Sequence, residues 1–66
     1  MNLYRLDYTD AAMGGDYLAR CYAIARAAAG RVAASEGRAV RITRIDSSGR
    51  LRPVLIAHPN GTFTRP

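Results

Sequence analysis

The sequence predicts an α+β fold in which one helix packs on one face of a small, mainly antiparallel sheet. The result is a two-layer sandwich in a single small domain over residues 1–66. Three observations predict this fold. The first residues alternate between polar and apolar, a long alanine-rich segment repeats apolar residues at helical spacing, and two short apolar runs flank a turn sequence. The predicted order is β-α-β-β, with room for a short fourth strand.

The first predicted strand is "NLYRLDY". Its side chains alternate between two faces, and we expect the face with the two tyrosines to be buried against the helix. That face carries Tyr4, Leu6 and Tyr8, and the opposite face carries Leu3, Arg5 and Asp7.

The helix is predicted over Tyr17–Ser35, with Asp16 as its N-cap and Gly37 as its C-terminal cap. At about 100° per residue, one stripe of the helix is apolar. Its members are Leu18, Cys21, Tyr22, Ala25, Ala29 and Val32. We therefore expect Cys21 to be a small buried hydrophobic residue, and Ile24 to lie at the exposed edge of the stripe.

The segment "RAVRITRID" predicts a strand with Val40 and Ile42 inward and Arg41 outward. Ile45 follows Ile42 by three residues, which breaks the alternation. A bulge near Thr43–Arg44 would restore it and turn Arg44 outward.

The segment "DSSG" is typical of a hairpin loop, so "RLRPVLIAH" is predicted to be the partner strand. Its apolar run Val54–Ala57 suggests burial on both faces, and we expect this strand at the centre of the sheet. The first strand would flank it on one side and Val40–Ile45 on the other. "TFT", after the turn "PNG", is the predicted additional strand.

The residues needed for catalysis or metal binding are scarce. Cys21 and His58 are the only residues of their types, so an intrachain disulfide and a metal site built on Cys and His are both excluded. His58 is expected to have a surface or capping role, and no acidic pair has spacing that suggests acid–base work. We expect neither an enzyme nor a cofactor. Because so short a chain is only marginally stable, self-association into a homodimer is a further expectation.

The net charge of +5 lies entirely in the C-terminal half, where residues 37–66 carry six arginines against Asp46 alone. All ten basic residues are arginine. The opening "MNLYRLDYTD" is charged and alternating, so we expect neither a signal peptide nor a membrane span. With one free thiol, this composition favours a cytoplasmic location.

These features predict a non-enzymatic binding module that occupies the surface of a protein or of a protein–nucleic acid assembly. The predicted contact residues are Arg38, Arg41, Arg44, Arg50 and Arg52. The alternative is direct DNA or RNA binding by the arginine-rich hairpin, although that segment lacks aromatic residues on which bases could stack. A third interpretation is that the arginines only solvate the hairpin and prevent edge-to-edge pairing. In general form the chain is similar to small accessory proteins of phages and plasmids, including anti-CRISPR inhibitors, a likeness that no motif carries.

Overall fold

The computed structural model describes residues 2–11 and 17–66. Within them, one helix packs on one face of a five-stranded antiparallel sheet, which confirms the predicted α+β arrangement. The strand order is β2-β1-β3-β4-β5. The elements are β1 (Leu3–Tyr8), β2 (Tyr17–Ala19), α1 (Tyr22–Glu36), β3 (Val40–Ile45), β4 (Leu51–Ala57) and β5 (Phe63–Thr64). The last of these is the predicted additional strand.

The helix begins five residues later than predicted, because Tyr17–Ala19 form β2 instead of its first turn. This short strand pairs with β1, opposite Tyr4–Leu6. Cys21 takes the N-cap position with extended backbone, and its side chain is exposed, so the prediction that it is buried is wrong. A three-residue apolar segment fits both a helical and a strand period, and pairing with β1 decides between them. The predicted N-cap, Asp16, lies outside the described residues.

The predicted stripe is confirmed only in part: Leu18 and Tyr22, both predicted on it, are exposed, and Ala28 and Ala33 are buried although they lie outside it. Ala25 and Ala29 are buried against the sheet, while Ile24 is 57% exposed. Gly37 ends the helix at a φ of 64°, a left-handed conformation that favours glycine, and its N–H donates to the carbonyl of Ala33 at 2.9 Å.

The central strand is β3, which corrects the prediction that Val54–Ala57 occupy the centre. β3 pairs with β1 on one side and β4 on the other. Because each of these pairings is antiparallel, β2 and β3 run parallel on either side of β1, and α1 connects them. The first strand therefore pairs with the strand after the helix, and β4 joins through the hairpin.

A β-bulge is present, but it lies on β4. Ile42 pairs with Leu55, whereas the next residue, Thr43, pairs with Pro53, so Val54 is the extra residue. This insertion explains the apolar run in β4 without burial of both faces, since only Ala57 of that run is fully buried.

The bulge in β4 does not alter the direction of the side chains in β3. β3 pairs with β1 without interruption, so its side chains alternate regularly. Arg44 therefore stays on the helix-covered face with Val40 and Ile42, and Ile45 points to the opposite face. The prediction that a bulge turns Arg44 away from that face is wrong.

The core between helix and sheet is thin. Among residues 2–11 and 17–66, Leu6, Val40 and Ile42 are the large side chains with essentially no exposure, and six alanines supply the rest of the buried apolar residues. The small helix residues allow the helix to approach the sheet closely. At Gly30, an added Cβ would lie 3.3 Å from Cζ of Phe63, whose ring is covered by the guanidinium of Arg26 at 4.1 Å. A side chain at this position would therefore require the Phe63 ring to shift by a few tenths of an ångström.

Candidate functional site: a basic patch at one end of the sheet

The structure distributes the five predicted contact arginines over different parts of the surface. Arg44 and Arg52 are direct cross-strand partners on the helix-covered face, and Arg50 is exposed in the turn beside them. Arg41 points to the opposite face of the sheet, because it is separated from Arg44 by three residues of a regular strand. Arg38 precedes β3, at its other end. Only Arg44, Arg52 and Arg50 are therefore neighbours.

Arg38 has local partners of its own. Its Nη2 donates to Oδ1 of Asp10 at 2.7 Å, and its Cζ lies 3.7 Å from the centroid of the Tyr8 ring. The hydrogen bond from Arg38 lowers the pKa of the Asp10 carboxyl, and Asp10 in turn raises the pKa of Arg38. Arg38 lies before the start of β3 and Arg44 near its end, so most of the length of β3 separates the two arginines. These contacts join the end of the helix to the chain after β1.

The arginine pair has aromatic neighbours that come from distant parts of the sequence. Tyr4 of β1 pairs directly with Arg44, so Tyr4, Arg44 and Arg52 form one row across three strands. The ring of Tyr22, the first residue of the helix, meets the ring of Tyr4 edge to face at 5.8 Å. Tyr22 is 40% exposed. We call Tyr4, Tyr22, Arg44 and Arg52 the basic patch.

No described carboxylate forms an ion pair with the basic patch, although Asp46 lies close enough to Arg44 for their charges to attract. Among the described residues, the ion pairs are Arg5 with Asp7 and Arg38 with Asp10, and neither involves the patch. The first turn of the helix beside it carries no acidic residue. Like charges directly opposite each other on two strands repel and destabilise the pairing. An anion bound between Arg44 and Arg52 would remove this repulsion.

Sequence reasoning identified Arg44 and Arg52 but missed the two tyrosines. Strand alternation alone placed Tyr4 on the face covered by the helix, yet no local pattern specifies the register between β1 and β3. The assumption that a bulge turned Arg44 outward then separated the two residues. The signal that could have joined them is the apolar run Val54–Ala57, because a bulge within that run leaves β3 regular and keeps Arg44 on the face of Tyr4.

The turn between β3 and β4 is fixed by Asp46. Its Oδ1 accepts hydrogen bonds from the Ser48 hydroxyl at 2.6 Å, from the Ser48 N–H at 2.9 Å and from the Arg50 N–H at 3.0 Å. Gly49 completes the turn at a φ of 82°. The hydrogen bonds from the Ser48 hydroxyl and the Arg50 N–H lower the pKa of the Asp46 carboxyl. The turn thereby positions the strand ends that carry Arg44 and Arg52.

This turn predicts a pH-dependent contribution to stability. Because the folded-state pKa of Asp46 is lowered, its carboxylate stabilises the fold above the ordinary pKa near 3.8, and this contribution is lost as the pH falls through the folded-state value. We expect Asp46→Ala to melt below the wild type at about pH 6, with the difference shrinking toward about pH 2. Thermal melts followed by circular dichroism measure this. Ser47→Ala, in the same turn, is the control, and a difference for Asp46→Ala that is independent of pH would contradict the assignment.

The remaining residues that could act in catalysis or bind a metal ion do not lie together in one site. The His58 and Thr64 side chains are hydrogen-bonded, Nε2 to Oγ1, at 2.7 Å, which ties the end of β4 to β5. Ser48 is occupied by the Asp46 turn, and Cys21 is exposed at the start of the helix. Within residues 2–11 and 17–66, no three His, Cys, Asp or Glu side chains are grouped so that they could hold a metal ion.

Comparison with protein-family models, curated protein sequences and solved structures finds no match to this chain. In the described part of the chain, the helix is too short and not apolar enough to cross a bilayer. Function is therefore argued from the residues and their geometry.

Proposed function

We propose that this protein is a non-enzymatic, cytoplasmic binding module that occupies a surface of a protein or of a protein–nucleic acid assembly. The observation that carries the proposal is the cross-strand pair Arg44–Arg52, which forms no ion pair among the described residues and adjoins Tyr4, whose ring contacts the exposed Tyr22. By covering a surface that its partner needs, such a module would act as an inhibitor, as small accessory proteins of phages and plasmids do.

The chemistry of the basic patch indicates which chemical groups its partner would present. Two guanidinium groups on adjacent strands present planar donors that match the two oxygens of a carboxylate or phosphate. Arginine and tyrosine are also the residues most enriched among those that dominate binding energy at protein interfaces. The patch therefore suits an acidic protein surface with an exposed carboxylate, or a phosphate presented by an assembly.

The proposal is tested by recovery of a partner from cell lysate with the tagged protein, with and without nuclease treatment. We expect a protein partner that is recovered in both conditions and is lost with the double variant Arg44→Ala/Arg52→Ala. The matched control is Arg31→Ala/Arg65→Ala, which removes the same charge from two exposed arginines outside the patch. Equal loss of the partner by both double variants would show that binding depends on net charge alone, and undiminished recovery by both would show that the arginine pair does not bind; either result would contradict the patch.

Direct nucleic-acid binding is the second candidate, and one observation favours it. Tyr4 is the cross-strand partner of Arg44 and its ring contacts that of Tyr22, so a base could stack on the exposed Tyr22 ring while phosphates contact the arginine pair. In that case a labelled single-stranded oligonucleotide should bind with an affinity that falls by roughly one log unit per phosphate contact for each log unit of salt. Tyr22→Ala should weaken this binding, and recovery from lysate should disappear with nuclease.

A further inference from the structure

The side of the sheet opposite α1 is not covered by any described element. We call this side the open face. Directly paired residues point to the same side, so the strand register gives its layout as three rows. The first row, at the β3–β4 turn, is Leu3, Ile45 and Leu51; the second is Leu18, Arg5, Thr43 and Pro53; the third is Asp7, Arg41, Ile56 and Thr64.

The open face carries more large apolar side chains than the core does. The core has three fully buried large side chains, whereas the open face presents Leu18 and Leu51, each about half exposed, with Leu3, Ile45 and Ile56 partly exposed. Its centre is polar but locally neutralised, since Nε of Arg5 donates to Oδ2 of Asp7 at 3.0 Å. A face of this kind gains stability if another apolar surface covers it.

We propose that the open face binds a second copy of this chain, giving a face-to-face homodimer that leaves the basic patch exposed on the other side of each sheet. Two sheets packed this way lie about 10 Å apart with their strands within about 30° of parallel. A dimer of this type is isologous, so every contact between two residues occurs twice.

The register of the open face is self-complementary about one axis. A two-fold axis that lies between the two sheets, parallel to the strands and midway between β1 and β3, places β1 of one copy over β3 of the other. Asp7 then faces the partner's Arg41, and Arg41 faces the partner's Asp7. The same operation places Leu3 over the partner's Ile45, so that apolar residues meet apolar residues.

This charge match favours a second copy over an unrelated partner. Asp7 and Arg41 are cross-strand neighbours in one chain but form no ion pair within it, since the described ion pair of Asp7 is with Arg5. In the proposed dimer, Arg41 can form an ion pair with the partner's Asp7. On the outer strands, it places Leu18 of β2 over the partner's Pro53. Apolar contact is thereby extended to the edge of the sheet.

The size of the face sets the expected strength of the dimer. Strands of six residues are about 20 Å long, and five strands are about 20 Å across, so each copy contributes roughly 400 Å² in projection. Two such faces lie at the small end of specific interfaces, which is typical of weak association. We therefore expect a concentration-dependent equilibrium between monomer and dimer.

A complementary charge exchange tests the axis. Sedimentation equilibrium of the wild type should show a mass that rises from 7.2 kDa toward twice that value as the concentration approaches about 1 mM. Asp7→Arg alone and Arg41→Asp alone should each be monomeric, because each places like charges opposite one another. An equimolar mixture of the two variants should dimerise again, since the arginine introduced in the first variant then faces the aspartate introduced in the second.

Control variants distinguish dimerisation through the open face from association through other surfaces. A folding measurement distinguishes loss of the dimer from loss of the fold. Leu18→Asp, at an exposed position, should abolish dimerisation, while Ile24→Asp on the outer side of the helix should not. Circular dichroism establishes that each variant is folded. A wild type that stays at 7.2 kDa throughout would overturn the proposal and leave the face to a different partner. A dimer that persists in Leu18→Asp and in both charge variants would also overturn it, because association would then use another surface.

Discussion

Replacement of Ile42 by alanine is expected to remove a large part of the stability of the fold and to lower its melting temperature by at least about 10 °C. Ile42 has no exposure and lies in the central strand, and the core formed by the described residues contains two other large, fully buried side chains. Removal of such a side chain costs about 2–5 kcal/mol. A chain of this length has a total stability of roughly 3–10 kcal/mol. The six alanines around the site cannot expand to fill the cavity, so we expect a cost toward the upper end.

Thermal and urea unfolding followed by circular dichroism measure this effect. The matched control is Ile24→Ala, which removes the same atoms from a side chain that is 57% exposed on the helix. It should change the free energy of unfolding by no more than about 0.5 kcal/mol, because exposed substitutions are nearly neutral and alanine is a good helix former. Equal effects of the two substitutions would contradict the location of the core between α1 and the sheet.

Replacement of Arg52 by glutamate is expected to stabilise the free protein and to weaken partner binding. Arg52 lies directly opposite Arg44 on the neighbouring strand. The substitution converts a repulsive cross-strand pair into an attractive one, which is worth about 0.2–1 kcal/mol relative to a neutral pair. It also removes half of the proposed anion site and introduces a charge of the wrong sign. Loss of a hydrogen-bonded charge contact at an interface weakens binding by at least about tenfold.

The two effects are measured separately, by thermal unfolding of the free protein and by titration of the recovered partner. The control is Arg31→Glu, the same change of charge at an exposed position on the helix. It should leave the affinity of the patch within about threefold of the wild type, apart from the long-range effect of net charge, which salt screens. If Arg52→Glu destabilised the free protein, the arginine pair would be structural and not a binding site.

Much of the fold could be predicted because the local signals are strong. The alternation of β1, the helical stripe around Ala25 and Ala29, and the glycine turns at Gly37 and Gly49 are all present in the structure. Each of these signals depends on residues that are close in sequence. The backbone conformation that glycine permits at Gly37 is required whatever the rest of the chain does.

The features that could not be predicted depend on pairing between distant segments. Tyr17–Ala19 form a strand because β1 offers an unpaired edge, not because of their own sequence. The position of the bulge was ambiguous because an extra residue in β4 and a phase slip in β3 leave similar patterns. The candidate site was affected in the same way: the register of β1 with β3 brings Tyr4 to Arg44, and it also places Arg41 on the opposite face.

The most direct test of the central proposal is titration of the nuclease-treated partner with the wild type, with Arg44→Ala/Arg52→Ala and with Arg31→Ala/Arg65→Ala. We expect the first double variant to lose at least about tenfold in affinity while its melting temperature is maintained or raised. We expect the second double variant to bind nearly as the wild type does. Equal affinities for all three proteins would contradict the account, because the arginine pair would then contribute nothing to recognition.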